Sequence, residues 1–96
     1  MLENDPRLKD IVNRILAVDW PEKIVLFGSR ARKDNGQRSD FDLAVFGKVN
    51  LAKIMANLEE AETLLHIDIV AFDELYDEKF KQRILNEGVT LYERKI

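Results

Sequence analysis

Three aspartates stand where the surrounding pattern asks for apolar side chains. Asp40 and Asp42 alternate with apolar residues in Ser39-Asp40-Phe41-Asp42-Leu43-Ala44-Val45-Phe46, and Asp68 interrupts His66-Ile67-Asp68-Ile69-Val70-Ala71-Phe72. Both segments otherwise read as buried strands, from which Asp is depleted. Residues i and i+2 of a strand project to one face, so Asp40 and Asp42 project together. Carboxylates gathered in an apolar setting repel one another and lose hydration, and a cation or hydrogen-bond donors must offset that cost. A hard divalent cation held by oxygen ligands, Mg²⁺ above all, meets the requirement. Asp40, Asp42 and Asp68 are therefore the candidate metal ligands and, through the metal, the candidate catalytic residues.

A second feature lies upstream. Pro21-Glu22-Lys23-Ile24-Val25-Leu26-Phe27 reads as a strand start and an apolar run, which ends in Gly28-Ser29; Arg30-Ala31-Arg32-Lys33 can then open a short helix. A strand, a Gly-Ser turn and a helix N-terminus make an anion site, because unpaired backbone N–H groups point outward there. Gly28 lets the backbone come close to a phosphate, and the Ser29 hydroxyl adds a donor. The interval to Asp40 accommodates a short helix and a turn through Asn35-Gly36 before the chain returns as a strand. Phosphate donors on one side and carboxylate-held metal on the other describe a nucleoside triphosphate site, with Gly28, Ser29, Arg30 and Arg32 as its nucleotide-binding residues.

Gly28-Ser29, Asp40-Phe41-Asp42 and Asp68 together resemble the signature of the DNA polymerase β nucleotidyltransferase superfamily. That signature is an apolar strand ending in Gly-Ser, a spaced Asp-x-Asp and a third carboxylate on a later strand. Gly28-Ser29-Arg30-Ala31-Arg32 with Ser39-Asp40-Phe41-Asp42-Leu43-Ala44-Val45 resembles, more narrowly, the minimal nucleotidyltransferases (MNT proteins), and so does the closing Glu87-Gly88-Val89-Thr90-Leu91-Tyr92-Glu93. The resemblance covers nearly the whole chain. Lys33 departs from it, where many such proteins carry Gly; a turn is affected, not a metal ligand. The resemblance implies one minimal nucleotidyltransferase domain over residues 1–96. It also implies a Mg²⁺-dependent enzyme that transfers a nucleoside monophosphate, AMP from ATP, to a hydroxyl, with Asp40, Asp42 and Asp68 sharing two Mg²⁺ ions. MNT proteins are commonly antitoxin partners of helical HEPN-domain toxins, so a HEPN toxin is the expected partner and protein adenylylation the expected reaction. Two other readings stay open: a non-enzymatic antitoxin that neutralises its partner by occlusion, and a transferase acting on a small molecule.

The remaining composition narrows the classes. At 96 residues and 46% hydrophobic content, the chain can fill one small core. Net charge is −3, whereas general nucleic-acid binders are more often basic, so nucleic acid is not expected as a partner. Positive charge is nevertheless concentrated locally, since Arg30, Arg32, Lys33 and Arg38 surround the single acidic residue Asp34. The absence of cysteine excludes disulfides and thiolate metal sites. No membrane span or signal sequence is evident, and a cytoplasmic location is expected. No G-x-x-x-x-G-K-[ST] or G-x-G-x-x-G pattern occurs, which removes the P-loop and Rossmann readings.

The elements that must position these residues follow from caps and periodicity. Asp5-Pro6 is an N-cap and N1 pair, and Leu8, Ile11, Val12, Ile15 and Leu16 follow at helical spacing up to Trp20-Pro21. Strands are predicted over 23–27, 40–46 and 67–72, with Gly47 ending the second. Asn50 can cap a helix carrying Leu51, Ile54, Met55, Leu58 and Leu65 on one face. Asp77 can cap a last helix through Phe80, Ile84 and Leu85, with Gly88 as its C′ residue and a short edge strand over 89–92. The sum is an α/β fold, a small mixed sheet flanked by helices in nucleotidyltransferase-like fashion. Trp20, Phe80 and Tyr92 read as core or interface residues. The lone His66 reads as a surface residue at a strand start, although it shares a face with Asp68.

Overall fold

The protein is described from a computed structural model, which places residues 5–28, 31, 41–59 and 66–95. The elements are α1 (Pro6–Val18), β1 (Lys23–Phe27), β2 (Phe41–Phe46), α2 (Leu51–Leu58), β3 (Ile67–Ala71), α3 (Glu78–Glu87) and β4 (Val89–Glu93), with a 3₁₀ turn over Phe72–Glu74 between β3 and α3. The helix expected to open at Arg30 lies outside the described residues, apart from Ala31.

The helices begin where their caps dictate. The Asp5 side chain accepts from the backbone N–H of Arg7, 2.9 Å away, and Pro6 occupies the first turn, where its missing N–H costs nothing. The Arg7 guanidinium closes a fork on the same carboxylate, through Nε at 3.2 Å and a terminal nitrogen at 2.9 Å. That bonding raises the Arg7 pKa above its usual value. Asn50 caps α2 by accepting from Lys53 N–H, and Asp77 caps α3 by accepting from Lys79 and Phe80 N–H.

α1 ends at Val18, and its end is tied to the start of α2. One Asp19 oxygen accepts from Trp20 N–H at 2.8 Å, and the other accepts from Asn50 N–H at 2.7 Å. These two bonds, the Asn50 one foremost, lower the Asp19 pKa below the usual carboxylate value. The Asn57 amide adds a bond to the Arg14 carbonyl at 2.8 Å.

The four strands run in the order β3-β2-β1-β4. β1 is antiparallel to both β2 and β4, and β2 is parallel to β3. The sheet is therefore mixed, and β4 is an edge strand, as expected. Alternation along the strands sends Ile24, Leu26, Phe41, Leu43, Val45 and Ile69 to one face, where Leu8, Ile11 and Ile15 of α1 and Ile54 and Leu58 of α2 complete the main core. The opposite face carries Val25, Phe27 and Ala44 under Ile84 of α3, flanked by Phe46, Val70, Phe72 and Phe80. Phe80 meets Phe27 edge-on at a centroid distance of 5.6 Å, and Phe46 stacks on Phe72 at 4.1 Å. Among the described residues, no helix is long and apolar enough to cross a membrane.

Four local expectations change. Met55 and Leu85, assigned to inward faces by periodicity, are 47% and 51% exposed. Each sits one residue after an inward residue, Ile54 or Ile84, and a single sheet face below leaves no neighbour for a wider apolar stripe. Phe72 leaves the third strand and opens the 3₁₀ turn, which lets its ring stack on Phe46. Gly88 does not adopt the left-handed C′ conformation; it caps α3 at φ −70°. The reason for glycine there is space, since a Cβ would overlap Val25 Cγ1 and the Ile84 carbonyl oxygen. Of the aromatic residues expected in core or interface, Phe80 and Tyr92 pack against the two core clusters. Trp20 is 64% exposed, and the Arg94 guanidinium lies 4.4 Å from its ring centroid.

Candidate functional site

The site is built from one end of three adjacent strands. Register pairs Phe27 of β1 with Asp42 of β2, and Asp42 with Asp68 of β3. Laterally paired residues project to the same face, with strands about 4.8 Å apart. Asp42 lies two residues before Ala44 and Asp68 two before Val70, so both carboxylates stand on the face that α3 partly covers. Asp42 is half-buried and Asp68 exposed.

Gly28 follows Phe27 directly and turns the chain beside Asp42. Its φ is +77°, a conformation that L side chains rarely adopt. A Cβ at this position would overlap Asp42 Oδ2 and lie 3.2 Å from Asp42 Cγ. The turn thus brings bare backbone against the carboxylate, and any side chain would displace it. Two separate demands, dihedral and spatial, select glycine here.

The structure therefore brings together three of the residues singled out from the sequence: Gly28, Asp42 and Asp68. Asp40, Ser29, Arg30 and Arg32 lie outside the described residues. Among the described residues, no group of three or more His, Asp or Glu side chains is placed to hold a metal ion; Asp42 and Asp68 are two of the expected three. His66, read from the sequence as a surface residue, is indeed exposed, yet its ring Nε2 lies 2.9 Å from Asp68 Oδ1. The signal for that contact was the shared strand face.

The donor set is all oxygen, carried by neighbouring strands rather than by one flexible segment. Such a pair suits a hard divalent cation. The pattern as a whole is that of an α/β protein with a strand–glycine turn beside a carboxylate on the adjoining strand and a second carboxylate on the next.

Comparison with known proteins makes the class specific. The model of the family described as polymerase beta, nucleotidyltransferase, matches residues 9–96. The chain belongs to the polymerase β nucleotidyltransferase family. No curated protein matches the chain. Solved structures share its fold. A crystal structure of a toxin–antitoxin pair with AMP-PNP superimposes with a TM-score of 0.73 at 17% identity, over 92% of this chain and 74% of that one. A mutant of the toxin–antitoxin pair MntA-HpeT gives 0.70 at 15% identity, over 92% and 74%. A Sulfolobus solfataricus protein described as a nucleotidyltransferase gives 0.59 at 24% identity, over 93% and 79%.

Proposed function

We propose that this chain is a Mg²⁺-dependent nucleotidyltransferase that transfers AMP from ATP to a hydroxyl of a partner protein, acting as the antitoxin of a HEPN toxin. The observation that carries the reading is the register of Asp42 with Asp68 beside the positive-φ turn at Gly28. Family membership over residues 9–96 supports the chemistry. The toxin–antitoxin structures of the same fold, one of them with AMP-PNP, support the nucleotide and the kind of partner.

In this reading Asp42 and Asp68, with Asp40, would hold the metal. The bound ions would supply charge neutralisation on the triphosphate and a lowered pKa for the attacking hydroxyl. The chain's own groups do the positioning. Backbone at Gly28 approaches the phosphates, with Ser29, Arg30 and Arg32 as further donors. The absence of a side chain at Gly28 leaves Asp42 the space its carboxylate occupies. The acceptor oxygen bonds to the α-phosphorus, the bond from that phosphorus to the bridging oxygen breaks, pyrophosphate leaves and the hydroxyl proton is lost to solvent. Rate acceleration comes from placement and charge stabilisation.

Mass spectrometry of a HEPN partner co-expressed with this chain tests the proposal. The expected result is a partner carrying the mass of one AMP, absent when Asp42→Asn replaces the wild type. A tight complex with no adduct under any nucleotide would overturn the enzymatic reading in favour of occlusion. An adduct on a small molecule and none on the partner would overturn the antitoxin reading.

A further inference from the structure

We infer that His66 is a positioning residue for Asp68. The inference rests on the reading of Asp68 as a metal ligand, and it deepens that reading. His66 Nε2 lies 2.9 Å from Asp68 Oδ1. A carboxylate oxygen only accepts, so Nε2 carries the proton and donates. Among the described residues, His66 is the one hydrogen-bond partner of the Asp68 carboxylate, and it takes one of the two oxygens.

The anchor for this contact is the backbone. The carbonyl of His66 accepts from Phe41 N–H at 3.0 Å, which extends the β2–β3 ladder by one residue. Phe41 is fully buried and adjoins Asp42. His66 is therefore held from the strand that carries Asp42, and its ring reaches the carboxylate register-paired with Asp42. The bond links the side-chain angle of one carboxylate to the strand of the other.

Stability is not a sufficient account of the pair. The two side chains are 65% and 59% exposed, and contacts so open to water add little to folding. What the bond does is restrict an exposed carboxylate that would otherwise sample several rotamers. It commits Oδ1 to the imidazole and leaves Oδ2 for a cation. Groups that hold a ligating carboxylate in this way affect metal affinity by about 10–100-fold when removed.

The test is Mn²⁺ binding to the full chain with a non-hydrolysable ATP analogue, followed by the electron paramagnetic resonance of free Mn²⁺. His66→Ala should weaken Mn²⁺ binding about 10-fold or more and leave the melting temperature unchanged. His66→Gln should restore most of the affinity, because its amide nitrogen reaches about as far as Nε2. His66→Asn should not, because its amide nitrogen matches Nδ1. Wild-type affinity in His66→Ala, or equal affinity in the Gln and Asn variants, would overturn the inference alone. Absence of Mn²⁺ binding by the wild type, with Asp42→Asn indistinguishable from it, would instead overturn the metal-site reading and the inference with it.

Discussion

Among the described residues, one face of the sheet carries α1 and α2, and the other carries α3 with the 3₁₀ turn over Phe72–Glu74. On the first face, Ile24, Leu26, Phe41, Leu43 and Val45 are all fully buried. On the second, Val25, Phe27 and Ala44 lie beneath Ile84, while Asp42 is half-buried and Asp68 exposed. Geometry explains the contrast. Four strands at about 4.8 Å span roughly twice the width of one helix, about 10 Å. One helix cannot close such a face, and α3 packs toward β1 through Phe80 on Phe27. Phe72 and Leu75 pack on this face beside Phe46 and Val70, while Asp42, half-buried, and Asp68, exposed, are not fully desolvated. The first face supplies stability, and the second leaves a place where carboxylates stay hydrated.

The sharpest way to break this contrast is to mutate two neighbours on opposite faces. Asp42→Asn should remove several kcal/mol of transition-state stabilisation, about three orders of magnitude in rate, while stability changes by less than about 0.5 kcal/mol or rises as repulsion is relieved. Transfer assays paired with thermal melts check both. The adjoining Leu43, with 0% exposure, should behave inversely. Leu43→Ala should cost about 2–5 kcal/mol of stability through the cavity it leaves, with activity per folded molecule retained. Comparable activity losses in the two variants would end the division of labour.

Gly28 and Gly88 extend the comparison to backbone. Gly28→Ala must adopt φ +77° and displace Asp42 Oδ2, costing about 1–2 kcal/mol of backbone strain and lowering activity by more than the stability loss explains. Gly88→Ala meets no dihedral barrier but collides with Val25 and the Ile84 carbonyl, so about 1–3 kcal/mol of stability is lost through overpacking, without a separate loss of activity. Denaturant titrations beside transfer rates separate the two cases.

A smaller effect comes from the two-helix side. Asp19→Ala removes the acceptor shared by Trp20 and Asn50 and should cost about 1–2 kcal/mol at neutral pH. The folded Asp19 pKa lies below the usual carboxylate value, so its contribution is fully present above about pH 4, the unfolded value. It is lost as pH falls through the folded value. Melts of wild type and variant should differ by a constant amount from pH 5 to about 8 and converge in stronger acid. The smallest effects belong to Met55→Ala and Leu85→Ala. Both side chains are about half exposed and should change stability by less than about 0.5 kcal/mol. A larger loss would mean that the outer helix surfaces are covered in solution.

Local signals in the chain determined the elements and named the unusual residues. Asp5-Pro6, Asn50 and Asp77 each cap a helix as their side-chain chemistry requires. Lys23–Phe27 and Val89–Glu93 follow the strand pattern. Asp42 and Asp68 announced themselves because carboxylates are out of place among β-branched and aromatic neighbours. Only the tertiary structure decided how these pieces meet. Period-two alternation tells which face a residue joins, but not which strand lies beside it or in what register. The pairing of Asp42 with Asp68, the seat of β4 beside β1 and the overlap that a Cβ on Gly28 would make with Asp42 are all non-local contacts. So is the exposure of Met55 and Leu85, since helical periodicity gives the direction of an apolar stripe and not its width. The bond from His66 to Asp68 falls between the two. Their shared face was legible from their spacing, but contact required the ladder to fix His66 through Phe41.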